Sequence, residues 1–477
     1  MSTGVQLPES GGQRSSSAFG RAVVADALRA ADPAAAEQVL ATKDWRSGYL
    51  PPFRRLIEVA APSYDIALTS ARDGLASLHE RMRYDGAAGE VALLDAFDGG
   101  RGFDAVEVKG EGDRETEFSL PYRGERLRGD ALQRQLDRWV DAGTIEPSCA
   151  EAVRLVVANP DWLDLSDRTV IVLGAGAEMG PLQSLLRWGG NVVGIDLPRA
   201  DLWSRVLGVA RTGAGRLTVP VRTGSRGDLE QTAGADLITD LPQIASWLRE
   251  LDGPLLLGNY VYADGVTNVR VSAGVDALTV HLLKTRDDVA LSFLATPTDV
   301  FAVPPEVVEQ ARSGHGRRSA LKAMRVPLRA VSGGRLLVPN YPEGSAVCDS
   351  LVPQQGPNYA LAKRLQRWRA AVARDEGVQV SLNVAPPTRT RSVVKNRLLA
   401  TAYTGARRFG VEVFEPATSN VLMAALLAHD LRTSPGRVHP FAAEAQSAAH
   451  GGLWRQPYSP RSVLGLAVLV GVGGSRT

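Results

Sequence analysis

The clearest pattern of apolar and polar positions in the chain runs from Arg168 to Asp196. Thr169 to Leu173 is an apolar, β-branched run of the kind that forms a strand buried on both faces. A glycine-rich turn follows, then leucines at helical spacing, then a second apolar run, Val192 to Ile195, that ends at the acid. This order of strand, glycine turn, helix, strand and acid predicts a βαβ unit of the type that binds dinucleotides.

Strand and helix patterns continue to alternate after this unit. Further strands are predicted over 217–221, 235–240, 254–262, 334–340 and 378–384, with helical stretches between them. This alternation predicts an α/β fold with a doubly wound parallel sheet and right-handed crossovers. The run from Val289 to Val303 is also strand-like, but its pattern does not give its place in the sheet.

The rest of the chain divides into three parts around an α/β domain expected over residues 165–430. Residues 1–16 are rich in Ser, Gly and Gln and are predicted to be a disordered tail. Residues 17–164 show mainly short helical patterns broken by prolines, with a β-hairpin between Gly99 and Gly129. His79 lies there on a helix predicted to face solvent, and we expect no chemical role for it.

Residues 431–477 form a C-terminal extension that contains the apolar run Val463 to Val472. An apolar run of this kind needs cover. We therefore expect the extension and the N-terminal region to pack onto the sheet. The same run could instead close a contact between two copies of the chain in a homo-oligomer.

Composition narrows the classes of function. The chain has 477 residues, of which 44% are hydrophobic and 22% charged, as is ordinary for a globular protein. A net charge of +2 gives no reason to expect nucleic acid as a partner. Cys149, Cys348 and the histidines show neither a disulfide framework nor metal-ligand spacing, so no catalytic metal is expected. No run reaches the roughly 18 apolar residues of a membrane helix, and the start lacks a signal-peptide core, so a cytoplasmic protein acting on a small molecule is expected.

A second informative stretch begins after Gly356. Tyr359 and Lys363 are four residues apart on a predicted helix, so their side chains lie on one face. An ammonium one helical turn away favours tyrosinate and lowers the pKa of the phenol from its usual value of about 10. The pair therefore suits proton transfer to or from a substrate oxygen. The alternative is an exposed tyrosine and lysine on an amphipathic helix.

Taken in order, these blocks resemble the short-chain dehydrogenase/reductase family. VLGAGAEMG resembles its glycine turn, and LLLGNYVYADG resembles its Asn-Asn-Ala-Gly strand end. YALAK is similar to its Tyr-x-x-x-Lys pair, and GVQVSLNVAPPTRT to the strand and Pro-Gly loop that closes over nicotinamide. The resemblance covers about residues 165 to 430. It implies a Rossmann-type sheet, an NAD or NADP cofactor, and hydride transfer between a carbonyl and a hydroxyl.

The resemblance also implies roles for individual residues. Tyr359 would transfer the proton, and Lys363 would activate it and hold the nicotinamide ribose. A serine would orient the substrate oxygen, and Ser345 fits the family's spacing to the tyrosine better than Ser350. Asp196 would bind the adenosine ribose and favour NAD, whereas Arg199 could meet the 2′-phosphate of NADP. The residues expected to bind the cofactor are Gly174, Gly176, Gly180, Asp196, Asn259 and Thr390.

Several positions depart from the family pattern. Glu178 stands beside the expected pyrophosphate, where the family has glycine and an anion would repel phosphate. Met179 occupies the third glycine position of G-x-G-x-x-G, and Pro387 replaces the glycine of the late loop. Extra sequence, about residues 289–325, is expected between the fourth and fifth strands.

These departures leave three classes of function open. The first is an active NAD(P)-dependent oxidoreductase, and the second is a degenerate relative that serves as a binding or scaffold protein. The third is an S-adenosylmethionine-dependent methyltransferase, which shares a glycine turn and an acid after the second strand. The tyrosine–lysine pair argues against the third class, because methyl transfer does not need it.

Overall fold

A seven-stranded sheet forms the centre of the computed structural model, which describes residues 3–9, 11–316, 327–395, 397–433 and 436–474. Six strands are parallel to their neighbours, and the seventh pairs antiparallel at one edge. In spatial order the strands are β14 (Val380–Val384), β11 (Val289–Ala295), β10 (Leu255–Asn259), β7 (Thr169–Leu173), β8 (Asn191–Ile195), β9 (Arg216–Arg222) and the antiparallel β4 (Phe103–Lys109).

The parallel strands follow the order 3-2-1-4-5-6 when they are counted from β7. This is the order of a doubly wound, Rossmann-type sheet. In such a sheet the first three strands are added towards one edge and the next three towards the other, so the strand order switches between the first and the fourth strand. The fold class predicted from the alternating pattern is therefore confirmed.

The parallel strands are apolar on both faces because helices cover both sides of the sheet. In β7, Ile171 and Leu173 belong to one apolar core, whereas Val170 and Val172 belong to the other. The helices that complete these cores are Gly265–Thr285 and Pro357–Asp375 on the first side, and Leu182–Arg187, Ala200–Thr212 and Pro416–Arg432 on the second.

Smaller elements surround the sheet. Three further sheets consist of β1 (Gly4–Gln6) with β2 (Arg83–Gly86) and β3 (Gly89–Ala92), of β5 (Leu120–Tyr122) with β6 (Glu125–Leu127), and of β12 (Val300–Ala302) with β13 (Val347–Asp349). Other α-helices of the described residues are Ser16–Arg29, Pro33–Ala41, Trp45–Gly48, Leu50–Ala60, Tyr64–Arg81, Gly129–Asp141, Pro147–Ala158, Leu229–Thr232, Leu241–Arg249, Pro305–Gly316, Arg391–Lys395, Arg397–Ala406, Pro440–Ala445 and Pro460–Gly474. Short 3-10 helices cover Leu93–Asp95, Pro160–Leu163 and Arg407–Phe409.

Two predicted strands are wrong. Residues 235–240 form a turn. The Asp240 carboxylate accepts the backbone N–H of Asp236 and binds Arg222, and these side-chain contacts take the place of hydrogen bonds to a neighbouring strand. Residues 334–340 contain no strand, and Leu337 has a φ of 53°, which is incompatible with an extended run. The fifth strand is β11, which the sequence pattern could not place.

The N-terminal part of the chain contacts the α/β part directly. The composition predicts a disordered tail over 1–16, yet β1 lies within it, is buried and pairs with β2. Helix Tyr64–Arg81 packs against helix Pro357–Asp375, with Gly74 against the ring of Trp368. His79 is also not at the surface, since its side chain is 10% exposed and its Nε2 lies 2.7 Å from Asp276 Oδ2.

Among the described residues, no helix combines the length and the apolar character that crossing a bilayer requires.

A buried carboxylate joins the early helices to the C-terminal extension. Glu146 precedes helix Pro147–Ala158, and its two oxygens accept hydrogen bonds from Arg455 Nε at 2.7 Å and Nη2 at 2.6 Å. His450 Nε2 donates to the same carboxylate at 2.8 Å, because His450 Nδ1 already accepts the N–H of Gly452. Burial raises the pKa of Glu146, but the bonds from His450 and Arg455 outweigh it and lower the pKa to about 2.

Glu146→Ala is expected to destabilise the protein by about 3 kcal/mol, because it leaves Arg455 buried without its acid. Since the pKa of Glu146 falls from 4.5 to about 2 on folding, its contribution is present above pH 4.5 and is lost as the pH falls towards 2. Urea unfolding of the full chain at pH 7 and at lower pH measures both effects. Glu151→Ala on the same helix, where the side chain is 62% exposed, is the control. Equal stability of the two variants would contradict the prediction.

Candidate active site at the carboxyl edge of the sheet

Loops leave the carboxyl edge of the sheet side by side. The strand register aligns Leu173 of β7 with Asn259 of β10 and Asn259 with Phe293 of β11, so β7 and β10 end level, while β11 continues for two more residues to Ala295. Neighbouring strands are about 4.8 Å apart, so β7 and β11 lie roughly 10 Å apart across β10. Ligands of doubly wound sheets bind at this edge, next to the switch point between β7 and β10.

The glycine turn is tied to the end of β8. Gly174 has a φ of 86°, and a Cβ there would lie 2.9 Å from the carbonyl oxygen of Tyr260. The backbone N–H groups of Gly176 and Leu197 donate to the two oxygens of Asp196, both at 2.8 Å. The predicted turn glycines and Asp196 are therefore brought together, and each carboxylate oxygen keeps a free lone pair for a ligand hydroxyl.

The turn differs from an ordinary phosphate-binding turn in its continuation. The following helix starts only at Leu182, after Pro181, and has six residues. The side-chain amide of Asn420 donates to the Gly180 carbonyl and ties the end of the turn to helix Pro416–Arg432. The phosphate-binding contribution of a long helix at this turn is therefore reduced.

Glu178 joins this turn to the loop after β14. Its Oε2 accepts the backbone N–H of Arg391 at 2.7 Å, and its Oε1 accepts Arg391 Nε at 3.0 Å. Thr390 lies directly before this contact, with its hydroxyl 2.9 Å from that of Ser392. Thr388 is instead a structural residue, buried with its hydroxyl 2.6 Å from Ser419 Oγ.

The tyrosine and the lysine both lie on helix Pro357–Asp375 and are half-buried. The phenol of Tyr359 lies close enough to the side chain of Thr296, the first residue after β11, for Thr296 to oppose the rise in its pKa, and Thr296 Oγ1 is 3.0 Å from Thr298 Oγ1. Lys363 Nζ donates to the Leu294 carbonyl at 3.2 Å. The strand end thus contacts both members of the pair.

A chain of polar contacts runs from the lysine to the next strand. Lys363 Nζ donates to Gln366 Oε1 at 3.1 Å, and Gln366 Nε2 donates to Asn259 Oδ1 at 3.2 Å. Asn259 is buried, and its Oδ1 also accepts the N–H of Val261. Asn259 therefore supports the loop after β10 and positions the lysine through Gln366.

The protonation states differ from the expectation for an activated pair. Burial raises the pKa of Tyr359 to about 12, although the hydrogen bond with Thr296 opposes the shift. Burial lowers the pKa of Lys363 to about 8, against the negative charge of Asp299. The expected lowering of the pKa of Tyr359 by Lys363 is therefore not found. Tyr359 holds its proton at neutral pH.

Asp299 fastens the turn after β11 to the helix of the pair. Its carboxylate accepts Arg364 Nη2 at 3.1 Å and Arg367 Nη1 at 2.7 Å, and all three side chains are 1% exposed. Arg367 also pairs with the buried Glu444. This network fixes the distance between the turn that carries Thr296 and the helix that carries Tyr359.

Ser345 does not join the site. It lies in a loop before β13, where its N–H donates to the Pro342 carbonyl and its hydroxyl accepts the N–H of Val347. Because β12 and β13 are antiparallel, Val347 pairs with Ala302, the end of β12 that is farther along the chain from Thr296. Ser350 is also buried away from the pair and bonds the Asp299 carbonyl.

Thr296 is the residue that the sequence analysis missed. Ser345 and Ser350 follow the run 334–340, which is not a strand, whereas Thr296 follows β11. A usable signal was present, because a hydroxyl residue follows the apolar run Val289–Ala295 at its first position.

Comparisons with known proteins reveal only a distant likeness. No protein-family model matches the chain, and no curated protein matches its sequence. Among solved structures, the terminal R domain from the myxalamid PKS-NRPS biosynthetic pathway is similar, with 14% sequence identity and a TM-score of 0.29. The likeness covers 55% of this chain and 61% of that chain. A likeness of this size indicates neither a family nor a function.

The lowered pKa of Lys363 can be measured directly. The chain has six lysines, at positions 43, 109, 284, 322, 363 and 395, so methyl-¹³C labelling of the amines gives few resonances. We expect the Lys363 resonance to titrate with a midpoint of about 8, because burial disfavours the ammonium. Lys363→Arg identifies the resonance by removing it. A midpoint at the ordinary lysine value of about 10.4 would show that the amine is solvated.

Proposed function

We propose that this protein is an NAD(P)-dependent oxidoreductase that reduces a carbonyl to a hydroxyl. The observation that carries the proposal is the grouping of Thr296, Tyr359 and Lys363 at the end of β11, one strand from Asn259 and two from the glycine turn. A proton donor, a second hydroxyl and a cation meet where a doubly wound sheet places its ligands.

Each group has a distinct task in this reaction. A nicotinamide dinucleotide, when bound, would supply a hydride to the carbonyl carbon, and the carbonyl oxygen would then need a proton. The Tyr359 hydroxyl donates its proton to that oxygen, and Lys363, one helical turn away, holds the ribose of the nicotinamide half. The Thr296 hydroxyl donates to the same oxygen and orients it. A pKa of about 12 for Tyr359 keeps the hydroxyl protonated at neutral pH, as a proton donor requires.

The residues present fit a dinucleotide at its two ends. Asp196, held at the glycine turn, is suited to the hydroxyls of the adenosine ribose, and this favours NAD. Arg199 already pairs with Asp201 at 2.6 Å, which leaves it less suited to a 2′-phosphate. At the other end, Asn259, Lys363 and Thr390 would hold the nicotinamide half, and Gly174, Gly176 and Gly180 let the backbone approach the ligand.

The position expected for the pyrophosphate is less favourable for binding a dinucleotide. Glu178 places a carboxylate on the glycine turn and connects it to Arg391 across the edge of the sheet. This contact favours a second candidate function, that of a Rossmann-type binding or scaffold protein without turnover. The two candidates differ in whether a dinucleotide can displace the contact.

Calorimetry of the purified chain with NAD, NADP and their reduced forms tests the cofactor assignment, and binding of at least one form is expected.

Tyr359→Phe should reduce turnover by about 10²–10⁴-fold while leaving cofactor affinity nearly intact, because it removes only the hydroxyl that donates the proton. Thr296→Val should reduce turnover about tenfold, because one hydrogen bond to the reacting oxygen is lost. Lys363→Ala should weaken both turnover and cofactor binding.

Ser345→Ala is the matched control for the hydroxyl, since Ser345 lies in the loop before β13, and its turnover should equal that of the wild type. Loss of activity in Ser345→Ala with full activity in Thr296→Val would reverse the assignment. If no nicotinamide dinucleotide binds at millimolar concentration and S-adenosylmethionine does, the oxidoreductase proposal is wrong.

Glu178→Gln is expected to tighten dinucleotide binding about fivefold, because it removes a negative charge beside the pyrophosphate and weakens the hold on Arg391. Affinities of wild type and variant are compared by calorimetry at low and high salt. Glu230→Gln is the control, since Glu230 pairs with Arg211 at 2.8 Å with similar exposure but on another part of the sheet. Unchanged affinity in Glu178→Gln would show that Glu178 does not compete with the cofactor.

A further inference from the structure

Two helices in the last third of the chain form a close antiparallel pair. They are Arg397–Ala406 and Pro460–Gly474. A Cβ on Gly405 would collide with the carbonyl oxygen of Ala467, and a Cβ on Gly471 would collide with that of Thr401. These two contacts occur in opposite order along the two helices. The start of the first helix therefore lies at the same end of the pair as the last turn of the second helix.

This end of the helix pair exposes large apolar side chains. Leu398 lies one helical turn before Thr401, and Leu469 and Val470 directly precede Gly471. Leu469 is 70% exposed and Leu398 is 52% exposed. A further exposed valine lies on the short helix that leads into the pair, and the four side chains are called the apolar tip: Val394, Leu398, Leu469 and Val470. A group of exposed apolar side chains of this kind marks a surface that binds a partner or a membrane.

Cations lie next to the apolar tip. Lys395 and Arg397 come just before Leu398 and are exposed. Neither forms an ion pair with an acid in the described parts of the chain, where the ion pair of this segment is that of Arg391 with Glu178.

The sequence around the tip contains cations but no acids. No Asp or Glu occurs over residues 377–411 or after residue 444. The first of these ranges has six basic residues, which are Arg389, Arg391, Lys395, Arg397, Arg407 and Arg408. A net charge of +2 for the whole chain is therefore distributed unevenly, with an excess of positive charge at the tip.

Exposed apolar side chains next to unpaired cations suit the surface of an anionic bilayer. The apolar side chains enter the boundary between lipid headgroups and acyl chains, while the cations contact lipid phosphates. A nucleic acid would also attract the cations, but it would leave the apolar side chains in water. A symmetric contact between two copies of the chain would bring the cations of one tip close to those of the other, which is unfavourable.

We propose that the apolar tip, together with Lys395 and Arg397, binds the surface of a membrane that contains anionic lipids. Because no helix among the described residues could cross a bilayer, the contact is one with the membrane surface. The segment that carries the tip also carries Arg391, which contacts Glu178 on the glycine turn, so the binding surface is connected to the candidate site. The proposal does not depend on the activity of that site.

Sedimentation of the full chain with lipid vesicles tests the proposal. We expect binding to vesicles of phosphatidylcholine and phosphatidylglycerol at about three to one, little binding to phosphatidylcholine alone, and weaker binding as salt is added. Leu469→Ser should weaken binding about tenfold, because an apolar side chain no longer leaves water. The double variant Lys395→Gln, Arg397→Gln should weaken it about 25-fold, because each cation near an anionic surface contributes about fivefold.

The chain offers a matched control for each change. Leu40→Ser replaces a leucine that is 41% exposed on helix Pro33–Ala41, in the N-terminal region. Lys109→Gln removes an exposed lysine from β4, which lies at the opposite edge of the sheet from β14. Both control variants should bind vesicles as the wild type does. Equal midpoints of thermal unfolding in all variants establish that weaker binding reflects the tip and not the fold.

A fluorescent label tests whether the tip enters the bilayer. Both native cysteines, Cys149 and Cys348, are buried, so Leu469→Cys provides one accessible thiol for a dye that responds to polarity. The emission of the labelled variant should shift to shorter wavelength when phosphatidylglycerol vesicles are added, because the dye leaves water. Labelled Leu40→Cys should show no shift.

The remaining outcomes would overturn the proposal. Absence of binding to anionic vesicles, equal binding to neutral and anionic vesicles, or undiminished binding of the tip variants would each do so. Self-association of the chain that Leu469→Ser abolishes, without vesicle binding, would assign the tip to a contact between two copies instead.

Discussion

The Asp299 carboxylate, buried between Arg364 and Arg367, is the interaction on which the geometry of the candidate site depends. It connects the turn after β11 to helix Pro357–Asp375, so Thr296 and Tyr359 can meet. Burial by itself would raise the pKa of Asp299, but the charges of the two arginines lower it. A buried charge of this kind costs little only while its partners are present. The network therefore favours one relative position of turn and helix over others.

The same network influences the chemistry of the pair. Asp299 is the negative charge that opposes the loss of the Lys363 proton, while burial promotes it. Burial and the negative charge of Asp299 also act on Tyr359, and both raise its pKa. Burial therefore raises the pKa of the Tyr359 phenol and lowers that of the Lys363 amine.

At the other end of the candidate site, the glycine turn carries a negative charge. The backbone N–H of Gly176 in the glycine turn donates to Asp196, but Glu178 adds a negative charge to the same turn and binds Arg391. The Glu178–Arg391 contact also connects the turn to the segment after β14.

The sequence by itself determined the fold class and the helical spacing of Tyr359 and Lys363. Apolar runs buried on both faces, a glycine turn and an acid at the right distance specify the βαβ unit, and a spacing of four on a helix places Tyr359 and Lys363 together, because these are local, periodic signals. They were sufficient for the fold class and for seeing that Glu178 is unusual. The roles of Gly174, Gly176, Asp196 and Asn259 remain predictions, although they lie at the expected edge.

Only the tertiary structure decided which residues meet across the chain. The strand over 334–340 was a wrong prediction because apolar content cannot reveal the positive φ of Leu337, and the residue that follows the fifth strand is Thr296. The partners of Glu178 and Asp299 lie 213 and 65 or more residues away, and no local pattern specifies such pairings. Burial, which sets the pKa values of Tyr359 and Lys363, likewise results from packing of distant segments, because desolvation depends on everything that surrounds a group and not on its neighbours in sequence.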